Sequence, residues 1–118
     1  MGRGQVMETR FLKFKSSAQP AVKLAIAAED FFRPELPEEY RQVYGRYLQQ
    51  RIRPAVELLI LEDDADRLEE LARYGWFPEA GIDDFLQKAA REHKNSAYVW
   101  LLKRKQETRG FAPRDFSL

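Results

Sequence analysis

The sequence predicts an all-α protein of three stacked helical hairpins, and three observations carry that expectation. Every strong apolar periodicity recurs near 3.6 residues rather than 2. The segment PAVKLAIAAED, beginning at Pro20, returns as PAVELLILEDD at Pro54 with six of eleven positions identical. A second offset, of 30 residues, aligns Ile52 with Ile82, Val56 with Leu86, Ile60 with Ala90, Leu68 with Tyr98 and Leu71 with Leu101. Such offsets lie in the range of helical arrays, in which each hairpin buries its apolar side against the next.

The first 19 residues read as a leader or cap. They show no clear periodicity, RFLKFK suits a short strand or a lid over the first hairpin, and Met7 offers an alternative start that would make the first six residues a leader. A repeat region over 20–107 follows, and its first hairpin spans about 20–50. Pro20 belongs in the first turn of a helix, where its missing N–H costs nothing. By analogy with the second PAV segment, Val22, Leu24 or Ala25, and Ile26 should be core, as counterparts of Val56, Leu58 or Leu59, and Ile60. FFRPELP breaks the chain, and EEYRQVYGRYLQQ forms a longer helix with Glu38 and Glu39 against its N-terminal dipole. Tyr40, Val43, Tyr44, Tyr47 and Leu48 form its apolar face.

The second hairpin spans 54–75. Pro54 again falls in a first turn, and Val56, Leu59 and Ile60 make one stripe. Ala65, Leu68, Leu71 and Ala72 make another, with Asp63, Asp64 and Asp66 at the turn to cap the second helix. Gly75 then follows the last apolar position as a C′ residue, and Pro78 prevents resumption. The third hairpin spans 81–107. Ile82, Phe85, Leu86, Ala89, Ala90 and His93 share one face; Asn95 and Ser96 are N-cap types; Tyr98, Leu101 and Leu102 begin the last stripe. TRGFAPRDFSL, 108–118, reads as an irregular tail.

Composition narrows the function classes. A chain of 118 residues with 44% apolar and 13% aromatic residues folds around a core and has the size of one domain. It has no cysteine, which removes thiolate chemistry and suits a reducing cytoplasm. No apolar run approaches the roughly 20 residues that span a bilayer, and the N-terminus lacks the apolar segment of a secretory signal. The net charge of +1 hides an acidic middle between basic ends.

No catalytic set assembles. His93 is the sole histidine and falls on a buried stripe, without the partners of a nucleophilic triad or a metal site. Glu62, Asp63, Asp64 and Asp66 lack the ligand alternation and central glycine of a calcium loop, so they read as a solvated turn and helix cap rather than a metal site. The sequence implies no cofactor. A nucleic-acid contact would use Lys103, Arg104, Lys105 and Arg109, with Phe111 for stacking; the same cations also suit the last turn of a helix. A partner contact would use Trp76 and Phe77 in the loop after the second hairpin, with Arg73 beside them. Trp76 could instead fold back behind Gly75. Tyr44 and Tyr47 divide between core and contact surface, and Trp100 between core and a seam to another subunit.

DDADRLEELARYG and HKNSAYVWLLKRK resemble the turn and outer helix of ankyrin repeats, whose outer helix ends in a Leu-Leu-x-x-Gly type of sequence. Leu71, Ala72 and Gly75 match that ending; Leu101 and Leu102 match it without the glycine. The Thr-Pro-Leu-His opening of that family is absent. The resemblance covers about 20–107 and is similar to degenerate ankyrin-like domains of bacterial hypothetical proteins. It implies a non-catalytic scaffold for protein–protein interaction or assembly, its partner another protein or a second copy in a homodimer. The alternatives are a nucleic-acid-associated protein using the basic ends, and a regulatory subunit of an enzyme complex.

Overall fold

A computed structural model describes residues 3–110, with side chains described for 5–108. Seven α-helices follow one another: α1 Arg3–Ser16, α2 Pro20–Asp30, α3 Glu38–Gln50, α4 Ile52–Leu61, α5 Ala65–Arg73, α6 Ile82–Arg91 and α7 Asn95–Lys105. A tight turn, Glu79–Gly81, precedes α6, and a wider turn, Gln106–Gly110, continues α7. Among the described residues there is no strand, and no helix is long and apolar enough to cross a membrane. The chain divides into two compact units between Ala55 and Val56, inside α4.

In the N-terminal unit RFLKFK lies within α1, a helix rather than the expected short strand. Met7, Phe11 and Phe14 recur at i, i+4 and i+7, a helical stripe that Val6 and Leu12 on other faces obscure. Met7 and Phe14 are buried, and α1 packs on α2 as α2 packs on α3. Phe11 stacks on Tyr40 at 4.1 Å between ring centroids, and Phe14 meets Tyr44 and Tyr47 edge-on at 5.0 and 5.1 Å. These geometries suit the ring quadrupoles and add to the gain from area alone. The C-terminal end of α1 is closed from outside. Lys23 of α2 donates to the Phe14 carbonyl at 2.8 Å and sits over the Phe14 ring.

The same unit holds a fully buried carboxylate. Asp30 accepts from Arg10 Nε at 2.7 Å and from Arg33 Nε at 3.0 Å, so both oxygens are charge-paired. Arg41 closes the loop before α3 by donating to the carbonyls of Phe31, Arg33 and Leu36. The Tyr44 hydroxyl is buried without a hydrogen-bond partner. Burial, and then the Asp30 charge, push that phenol well above its ordinary value.

Further along the chain two helix pairs coincide at the 30-residue offset. α4 and α6 begin at Ile52 and Ile82 and end at Leu61 and Arg91; α5 and α7 begin at Ala65 and Asn95. Each first helix ends in the same way. Asp63 has φ 55° and His93 φ 57°, both left-handed. Asp63 N donates to Ile60 O and Asp64 N to Leu59 O; His93 N donates to Ala90 O and Lys94 N to Ala89 O. This double bond closes a helix through a left-handed C′ residue. Gly75 ends α5 identically at φ 80°, with Gly75 N on Ala72 O and Trp76 N on Leu71 O.

Several expectations change here. His93 is exposed, because α6 ends at Arg91 and the periodic stripe cannot be extended past the turn. Asn95 and Ser96 do not cap α7: Lys94 occupies the N-cap position and makes no side-chain cap bond. Asp63 supplies it instead, accepting from Ala97 N at 2.8 Å. Asp64 caps α5 as expected, through Arg67 N at 3.0 Å. The 34-residue echo does not carry the same burial. Val56, Leu59 and Ile60 are buried, whereas Val22 is half-buried and Ala25 exposed; Ile26 is buried like Ile60, and Leu24 is half-buried like Leu58. α2 turns Ile26, Ala27 and Asp30 inward because α1 and α3 both pack on it.

Candidate interaction surface

α7 is apolar on two faces. Ala97 and Leu101 are buried, and the helix packs on α5 and α6. Trp100 is half-buried rather than core, and its indole N–H donates to Glu69 Oε1 of α5 at 2.9 Å. That bond, followed by Arg73, holds the Glu69 carboxyl below the usual carboxylate range. On the opposite face, Tyr98, Val99 and Leu102 stand at i, i+1 and i+4, exposed by 36, 63 and 38%. The expected stripe of Tyr98, Leu101 and Leu102 is therefore split, with only Leu101 facing inward.

The offset of 30 makes the exposed face informative. Its counterparts on α5 are Leu68, Glu69 and Ala72: Leu68 is fully buried, and Glu69 and Ala72 are half-buried. α7 lies against α5, with Trp100 on Glu69 and Asp63 on the start of α7. α7 presents the same positions to solvent, with tyrosine in place of Leu68, valine in place of Glu69 and leucine in place of Ala72.

The loop residues behave differently from one another. Phe77 is buried against Phe85 and Trp100, with centroids at 5.7 and 5.1 Å, and so is removed from contact. Trp76 is half-buried and stacks on exposed Tyr74 at 4.7 Å. It folds back behind Gly75, where a C″ residue commonly packs. Arg73 is exposed and pairs with Glu69 at 3.4 Å. In the N-terminal unit Tyr44 is fully buried, so its ring offers no contact surface; Tyr47 is half-buried under Arg51 and Lys23. Tyr98, Val99 and Leu102 lie outside the expected contact set because a helix-period stripe says which residues share a face, not which face is covered.

The basic end of α7 is largely neutralised. Arg104 forks onto Glu79, which raises the guanidinium pKa further, and Lys105 pairs with Asp83 at 2.8 Å. Lys103 remains exposed without a carboxylate among the described residues. Arg109 and Phe111 lie outside the described side chains. An open cleft of about 410 Å³ in the N-terminal unit is lined by Val6, Met7, Arg10, Arg33 and Glu35. Its two arginines are held by Asp30 and Glu29. Comparison with protein-family models, with curated proteins and with solved structures returns no match.

Proposed function

We propose that the chain is a non-catalytic module for protein–protein interaction, built on an ankyrin-like helical repeat whose α6–α7 copy carries a docking face. The observation that carries this reading is the unequal cover of equivalent positions. Leu68 on α5 is buried, while Tyr98, Val99 and Leu102 on α7 are exposed. A contiguous apolar strip on one helix is a recognised means of holding a partner helix. The pairing of Arg104 and Lys105 with carboxylates favours this reading over a nucleic-acid contact, which needs cations free to meet phosphate.

The test places a photo-crosslinking side chain at position 99, and in a second variant at position 57, an exposed position on α4. Irradiation in extract from the protein's own cells should give a discrete heavier adduct from position 99 that position 57 does not give. The same diffuse products from both positions would refute the docking face.

A further inference from the structure

Resting on that docking-face reading, we infer that the face of Tyr98, Val99 and Leu102 receives an amphipathic helix of another protein, one that flanks its apolar strip with carboxylates.

The geometry of the covered position indicates the shape of the occupant. α5 is covered by a helix, α7, whose inward side chains are Ala97, Trp100 and Leu101. A small residue allows close approach and large apolar residues beside it fill the gap. The receiving chemistry then changes between the two copies. Where the first pair offers Asp63 to a helix N-terminus and Glu69 to an indole N–H, the second offers His93 and Val99 at the same offsets. Both carboxylates are gone, and cations border the strip. Lys103 lies along one edge and Lys94 precedes the helix, neither with a carboxylate partner among the described residues. An occupant with glutamates or aspartates at its edges would meet those cations, whereas a basic helix would be repelled.

A second copy of this chain fits poorly. Two copies joined strip to strip would set the Lys94 and Lys103 border of one against that of the other. The other helix with two well-exposed large apolar residues, α1 with Val6 and Leu12, ends in Lys13 and Lys15. Its approach would bring like charges together.

The test uses the full chain and two labelled synthetic helices of about 18 residues. Both carry one leucine strip at i, i+3, i+4 and i+7; one is flanked by glutamates, the other by lysines. Fluorescence anisotropy should show the glutamate helix binding at least about tenfold more tightly, with affinity falling as salt rises from about 0.05 to about 0.5 M. Val99→Asp should weaken it about tenfold or more, and Leu12→Asp should leave it unchanged. Lys103→Glu, which leaves Tyr98, Val99 and Leu102 in place, should weaken the glutamate helix and strengthen its lysine twin.

Equal affinities of the two helices, or indifference to Val99→Asp, would overturn the inference. A Val99-dependent dimer in light scattering would assign the face to a second copy and also overturn it. Binding that arises only when residues 111–118 are removed would assign it to that segment, with the same consequence. If neither helix binds while position 99 still crosslinks a discrete protein, the acidic-helix inference fails and the docking face stands.

Discussion

Replacing Asp63 by alanine tests whether one carboxylate joins the two helix pairs. Asp63 accepts from Ala97 N at 2.8 Å, and it holds φ 55° at the end of α4. Alanine forfeits a cap bond of about 1 kcal/mol. It loses the favourable placement of a negative charge at the start of α7, about 0.5 kcal/mol. It must also hold a left-handed backbone that aspartate tolerates better, at about 0.5–1 kcal/mol. The sum is about 2 kcal/mol, equivalent to lowering the midpoint by about 8 °C. Glycine loses the same cap but relieves the backbone, so Asp63→Gly should cost about 1 kcal/mol. Asparagine keeps both the acceptor and the left-handed tolerance, so Asp63→Asn should cost about 0.5 kcal/mol. The assay is intrinsic fluorescence during urea unfolding, because both tryptophans, Trp76 and Trp100, lie in the C-terminal unit. An Asp63→Ala cost below about 0.5 kcal/mol, or a glycine variant less stable than the alanine variant, would refute the reasoning.

Arg10→Ala leaves a fully buried carboxylate with one partner and should cost about 2–3 kcal/mol, whereas Arg73→Ala, which breaks an exposed pair with Glu69, should cost at most about 0.5 kcal/mol. Circular dichroism during denaturation of both variants checks the contrast. Tyr44→Phe removes a buried hydroxyl that has no partner and should be neutral or stabilising by up to about 1 kcal/mol in the same assay. Because the folded Tyr44 phenol is raised above its unfolded value of about 10, its contribution is complete below that pH and is lost as pH rises beyond it. Tyr44→Phe should therefore flatten the alkaline loss of stability; an unchanged alkaline slope would contradict the burial argument. His93→Gly relieves an exposed left-handed residue at φ 57° and should raise stability by about 1 kcal/mol, read from the tryptophan midpoint.

Local chemistry makes much of this architecture legible. Pro20 does begin α2, Gly75 ends α5 and Asp64 caps α5, because each signal acts within a few residues of itself. The 30-residue offset matches the helix bounds from Ile52 to Arg91 because the turn at Asp63 and the turn at His93 have the same construction. What stays hidden depends on distant neighbours. Asp63 reads as part of an acidic turn, and nothing local says that its carboxylate reaches Ala97. Tyr98 matches Leu68 by position, yet Leu68 is buried on a helix that α7 packs against, while Tyr98 is exposed among the described residues. α1 escapes a periodicity reading because its buried stripe includes Arg10, whose inward position makes sense only once Asp30 is known to be opposite. Tyr44 fails as a contact residue for a related reason, since the rings that cover it come from α1.

The aromatic seam between α1 and α3 bears on where this protein can be shortened. The repeat pattern invites a cut just before Pro20. Such a truncation would remove Phe11 and Phe14 from Tyr40, Tyr44 and Tyr47, and Arg10 from Asp30. It would also leave Lys23 with no helix end to close. The smallest self-sufficient piece of the N-terminal half therefore has to include α1, whatever period is read in the residues that follow.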